Sequence, residues 1–130
     1  MKKLDRKEVK RLNDLYKIFS QYLSDLQTEE FWAIFLDQKN HVIYKTQISK
    51  GGISGTLVDV RVIFRIAIEH LATSVVVAHN HPTGNLTPSQ PDISITRRIK
   101  EAGDLLDIKL LDHLIIGENS FFSFSEQGLL

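Results

Sequence analysis

The chain has 130 residues, 42% hydrophobic and 25% charged, which suits one domain with a real core. Its 16 basic and 16 acidic side chains cancel, disfavouring autonomous nucleic-acid binding, where many phosphates must be neutralised. It has no cysteine, so disulfides, thiolate nucleophiles and Cys-ligated zinc are excluded, and any metal must be held by His, Asp, Glu and water.

From about Asp5 to Leu26, Leu12, Leu15, Tyr16, Phe19, Tyr22, Leu23 and Leu26 recur at helical spacing, with Lys10, Asp14, Lys17 and Asp25 on the other face. Residues 1–26 therefore read as an N-terminal amphipathic helix packed on a core formed by residues 27–130. The basic start, Met1 to Lys7, is not followed by an apolar signal-peptide segment, and no apolar run approaches the ~20 residues of a membrane span; the cytoplasm is the expected location.

Phe31 to Leu36 and Val42 to Ile48 read as strands of a hairpin around the turn Asp37-Gln38-Lys39-Asn40. Gly51-Gly52-Ile53-Ser54-Gly55 breaks the pattern. A helix is expected from about Asp59 to Leu71, with Val60, Ile63, Phe64, Ala67, Ile68 and Leu71 inward. Ser74 to Ala78 has the continuous apolar character of a central strand. A further helix follows from about Gln90 to Leu106, then a strand from Ile108 to Ile116, a turn at Gly117-Glu118-Asn119 and a strand from Ser120 to Phe124. The order describes a single-domain α/β fold, a mixed β-sheet sandwiched by helices.

The chemistry concentrates in His79-Asn80-His81-Pro82-Thr83-Gly84-Asn85-Leu86-Thr87-Pro88-Ser89-Gln90-Pro91-Asp92, which holds all three prolines of the chain. If His79 and His81 continue the Val75 to Ala78 strand, both imidazoles project to one face and Asn80 points away. Pro82 favours extended geometry at His81. Asp92, in the first turn of the next helix, can fold back onto them. Two His and one Asp leave a tetrahedral metal one open position, as in catalytic sites. Ser89-Gln90-Pro91-Asp92 also reads as a plain helix cap, with Ser at the N-cap, proline in the first turn and a carboxylate third. The two readings are compatible.

His79-x-His81, seven residues, Ser89, two residues, Asp92 resembles the JAMM signature of the JAB/MPN metalloprotease domain. The fuller string resembles the RadC branch of that family. Glu30-Phe31, the stretch Phe35-Leu36-Asp37, Thr96 to Gly103, Leu111 to Gly117 and Ser123-Phe124-Ser125 are similar to RadC segments too. The similarity covers about residues 25 to 130. It implies a JAB/MPN fold of the cytidine-deaminase-like type and a zinc metallopeptidase or isopeptidase cleaving an amide in a peptide or protein substrate. His79, His81 and Asp92 would be the Zn2+ ligands. Ser89 would bind the water or donate to the tetrahedral intermediate, and Glu30 would be the general base. Glu29 competes for that role. Adjacent strand residues face opposite sides, so only one reaches the metal, and alignment with Phe31 favours Glu30.

RadC-like chains typically carry an N-terminal helix-hairpin-helix region, for which the residues before the core leave no room, so a DNA-repair role is weakened. A non-catalytic interaction module with a structural metal is the alternative function. An HNH nuclease is excluded because those three letters are contiguous here, and a zinc deaminase because it needs cysteines. Asp112-His113 reads equally as a pair beside the site or as strand structure. Ser123 and Trp32 read as structural, His41 and His70 as solvated, and Asn80 as a loop hydrogen-bonder.

Overall fold

The computed structural model describes residues 7–51 and 57–130. Along these the chain runs α1 (Leu12–Leu23), β1 (Glu30–Leu36), β2 (Val42–Lys50), α2 (Val60–Glu69), β3 (Ser74–Asn80), α3 (Gln90–Leu106), β4 (Lys109–Ile116) and β5 (Phe121–Ser123). The strands form one mixed sheet in the order β2-β1-β3-β4-β5. β1 is antiparallel to both β2 and β3, β3 is parallel to β4, and β5 returns antiparallel to β4. The parallel pair needs a long crossover, and α3 supplies it.

β1 and β3 lie inside the sheet, and both of their faces are covered. Phe31, Ala33, Phe35, Val75 and Val77 pack against Ile63, Phe64 and Ala67 of α2 and Ile99 of α3. The alternate residues Ile34, Leu36, Val76 and Ala78 pack against Leu15, Ile18, Phe19 and Leu23 of α1. Two-sided burial accounts for the unbroken apolar runs of these strands. The expected sandwich of a mixed sheet between helices is the fold observed.

α1 starts at Leu12, later than the expected Asp5. Asp14 Oδ2 accepts from the backbone N–H groups of Lys10 and Arg11 at 2.9 and 3.1 Å and sets the first turn. The residues before it run beside the β1–β2 turn instead, with Val9 N–H bonded to the Asn40 carbonyl and Val42 N–H to that of Lys7. The expected helix start at Asp5 and the glycine break from Gly52 to Gly55 lie outside the described residues. β3 runs two residues further than expected, through His79 and Asn80. α3 has the bounds its Ser-Gln-Pro-Asp cap announces.

Two details place β4. Gly103 lets α3 turn back tightly, because a Cβ there would stand 2.3 Å from the Ile108 carbonyl oxygen. The pairing of β3 with β4 then shifts register, from Val75 opposite Leu110 to Val76 opposite Asp112. One extra β4 residue reverses which side chains face which layer. Leu110 accordingly packs on the α2/α3 side, while Leu114 and Ile116 pack on the α1 side.

Candidate metal centre

His79 is the second-last residue of β3 and pairs with Phe31, so its ring lies on the α2/α3 face of the sheet. Its plane runs nearly parallel to that of Phe31, 10° apart, with centroids separated by 6.0 Å. His81 follows two residues on and points the same way, bringing the two Nε2 atoms to 2.9 Å. Beyond it the loop closes with Gly84 N–H on the His81 carbonyl, and Gly84 takes φ 81°, a left-handed conformation suited to glycine. The same loop aims the Asn85 carbonyl at His81 Nδ1, 2.6 Å away. A carbonyl only accepts, so Nδ1 carries the proton and Nε2 is left for the centre.

α3 delivers the carboxylate. Ser89 is its N-cap: Asp92 N–H donates to Ser89 Oγ at 3.1 Å, and Ser89 N–H donates to Asp92 Oδ2 at 2.9 Å. Asp92 Oδ1 stands 3.2 Å from His79 Nε2, and Oδ2 stands 3.1 Å from His81 Nε2. One carboxylate thus caps the helix and faces both imidazoles. Burial opposes its ionisation, but the hydrogen bonds from His79 and His81, the imidazole charges and the Ser89 N–H hold it well below the usual carboxylate range. The His81 pKa is raised, chiefly by its hydrogen bond to Asp92, against burial and with help from the Asn85 carbonyl.

This donor set fits a divalent cation. Nitrogen and oxygen ligands ~2.0–2.1 Å from a tetrahedral zinc lie about 3.3 Å from each other, close to the separations here. Glu29 completes the group: its carboxylate and the His79 and His81 nitrogens lie within 4.8 Å of one another. Glu30 does not reach it. Its Oε1 accepts from Trp32 Nε1 at 2.9 Å, and its N–H donates to Asn80 Oδ1 at 2.8 Å. Phe31 shares the face of His79, so strand alternation turns Glu30 and Trp32 to the α1 side, where Trp32 stacks on Tyr22 at 4.5 Å. Glu30, expected beside the two histidines, is turned away from them, and Glu29 is the glutamate that stands there.

His113 stands behind His79, fully buried. Its Nε2 is 2.8 Å from His79 Nδ1 and its Nδ1 is 2.6 Å from Thr96 Oγ1. Phe124 stacks on it at 4.6 Å, and Phe31 meets it edge-on at 5.5 Å. Burial in this apolar shell pushes its pKa well below the ordinary histidine value, and the neighbouring His79 adds to the shift. The sequence left Asp112-His113 evenly between a pair beside the site and strand structure, and gave His113 no catalytic assignment. The register shift that aims it there leaves no mark in a window of β4 alone.

Asp112, its neighbour, faces elsewhere. It accepts from Ser123 Oγ at 2.5 Å and from the N–H groups of His113 and Ser125 at 2.7 and 2.9 Å. Asn80 is buried and ties β3 to the residues before β1, accepting from Glu30 N–H and donating to the Thr28 carbonyl at 3.0 Å. The other histidines lie apart from this centre. His41 pairs with Asp37 at 3.5 Å, and the exposed His70 stacks on Tyr44 at 4.1 Å.

Comparison with known proteins agrees with the fold. The chain matches the RadC-like JAB domain over residues 9–129. It is 48% identical over 126 residues to a UPF0758 protein of Flavobacterium johnsoniae, covering 97% of this chain and 55% of that one. A UPF0758 protein of Porphyromonas gingivalis is 45% identical over 88% of this chain and 51% of its own length. Another, from Clostridium perfringens, is 45% identical over 98% and 56%. The chain spans about half the length of these relatives. Spanning 9–129, the match takes in the loop from His79 to Asp92, α3 and the buried histidine of β4, and the chain belongs to the RadC-like JAB domain family.

Proposed function

We propose that this domain is a zinc-dependent hydrolase of the JAMM type, cleaving an amide bond in a peptide or protein as a metallopeptidase or isopeptidase. The observation that carries the reading is the meeting of His79, His81 and Asp92 from a strand end and a helix cap, with Glu29 beside the imidazoles. Bound there, zinc would polarise a carbonyl and lower the pKa of water to roughly 7. Glu29 accepts the proton of the attacking water and passes it to the leaving amine. The Ser89 oxygen already accepts from Asp92 N–H, so its own proton serves the carbonyl oxygen as that atom gains charge.

The test is hydrolysis of peptide and isopeptide libraries by the zinc-loaded protein. Glu29→Gln lowers turnover by ~10²–10⁴-fold with zinc content unchanged, the usual loss for a general base. Glu30→Gln keeps turnover near wild type. Zinc bound without cleavage of any member would identify an interaction module instead, and the reverse ranking of the two glutamates would discard the assignment of Glu29.

A further inference from the structure

The buried groups behind His79 form a closed circuit that begins and ends on Asp92. Thr96 Oγ1 is 2.7 Å from the Asp92 carbonyl, His113 Nδ1 is 2.6 Å from Thr96 Oγ1, and His79 Nδ1 is 2.8 Å from His113 Nε2. His79 Nε2 then returns to the Asp92 carboxylate at 3.2 Å. Thr96, His113 and His79 are 2%, 0% and 2% exposed, so solvent cannot stand in for any missing partner.

The polarity of this circuit follows from donor and acceptor counts. A ligating His79 needs its lone pair on Nε2, so its proton is on Nδ1 and must be donated to His113 Nε2. His113 then carries its own proton on Nδ1 and donates it to the Thr96 oxygen. Thr96 has a single hydroxyl proton, and the Asp92 carbonyl, which can only accept, takes it. Every donor finds one acceptor in this order.

We propose that His113 and Thr96 are positioning residues that hold His79 in its Nδ1-protonated tautomer and so present Nε2 for metal binding. This rests on the metal-centre reading above. His113 does not touch the metal or substrate; it acts through the ring of His79. Partners of this kind behind a ligating histidine typically contribute 10–100-fold in metal affinity, an order-of-magnitude figure. Thr96 acts one step further back, as the acceptor without which the His113 proton has no buried partner.

The experiment measures zinc affinity by chelator competition and records ¹⁵N spectra of zinc-loaded, histidine-labelled protein. Thr96→Val binds zinc about 10–100-fold more weakly, whereas Thr96→Ser, which keeps the hydroxyl, binds near wild type. In the wild-type spectra His79 and His113 both carry their proton on Nδ1. Equal affinity for a folded Thr96→Val, or a His113 proton on Nε2, would overturn the proposal while leaving the metal centre standing. Failure of the wild type to bind zinc would overturn the metal reading itself, and this one with it. Should Thr96→Val fail to fold, the wild-type spectra decide alone.

Discussion

Asp112 and His113 are consecutive in β4, both buried and both strongly polar, yet they belong to different kinds of structure. Asp112 gathers Ser123 Oγ and the N–H groups of His113 and Ser125, and its bonds end inside the protein. His113 heads a chain that passes through His79 to a point where Asp92 and His81 also converge. The first is a saturated cluster that pins the turn after β5. The second is open at one end, where imidazole and carboxylate atoms that could hold a metal converge. A buried polar group marks function by where its hydrogen-bond chain leads rather than by its burial.

The widest separation between the two regions comes from His79→Ala. We expect bound zinc to fall from about one per chain to none, by plasma mass spectrometry, with the far-ultraviolet circular dichroism preserved. Retained zinc would remove His79 from the centre. Asp112→Ala breaks the other region. It leaves three donors without their acceptor, two of them at buried residues, and should cost about 3 kcal/mol in urea denaturation. The folded variant should keep its zinc. Zinc loss without destabilisation would erase the distinction between the clusters.

A smaller effect separates them by pH. In the metal-free protein the His81 pKa is raised by Asp92, so proton and metal compete for Nε2. Zinc affinity should fall by about tenfold per pH unit once the pH is below that raised value, an onset above the ordinary ~6.5 of histidine. The sign for stability is opposite. The protonated His81–Asp92 pair stabilises the metal-free fold fully below the unfolded histidine pKa, and that contribution is lost as pH rises through the folded one. Calorimetric titration of zinc across neutral pH, with thermal melts of chelator-treated protein, checks both signs. A pH-independent affinity would place the proton elsewhere.

Much of this was legible in the sequence because local rules governed it. Ser89, Pro91 and Asp92 set the start of α3, and the two-residue spacing of His79 and His81 put both rings on one side. The glutamate was not legible for a physical reason. β1 is apolar on both faces, so Phe-Trp-Ala-Ile-Phe-Leu shows no alternation from which to tell whether Glu29 or Glu30 shares a side with the histidines. The pairing of Phe31 with His79 decides it, and that contact spans the chain. His113 was hidden by the extra residue in β4, which defeats a parity count from Leu110. The late start of α1 reflects a tertiary override, since Lys7 and Val9 bond to the β1–β2 hairpin.

The dual service of Asp92 has a consequence for how a metal held there as proposed would come and go. Its carboxylate accepts from Ser89 N–H at the first turn of a 17-residue helix, a contact that α3 makes for its own sake. In zinc fingers the ion is the staple, and chelation and unfolding are one event. Here Asp92 belongs to a helix cap built from protein hydrogen bonds, and the imidazoles stand at the end of a fully buried strand, His79 within it and His81 just beyond it. A cation bound there would enter a site whose helix cap and strand are held by the protein's own hydrogen bonds. Should the centre hold zinc as proposed, chelation is expected to leave the fold intact, and cobalt, for a visible spectrum, or cadmium, for a magnetic one, to take the place of zinc.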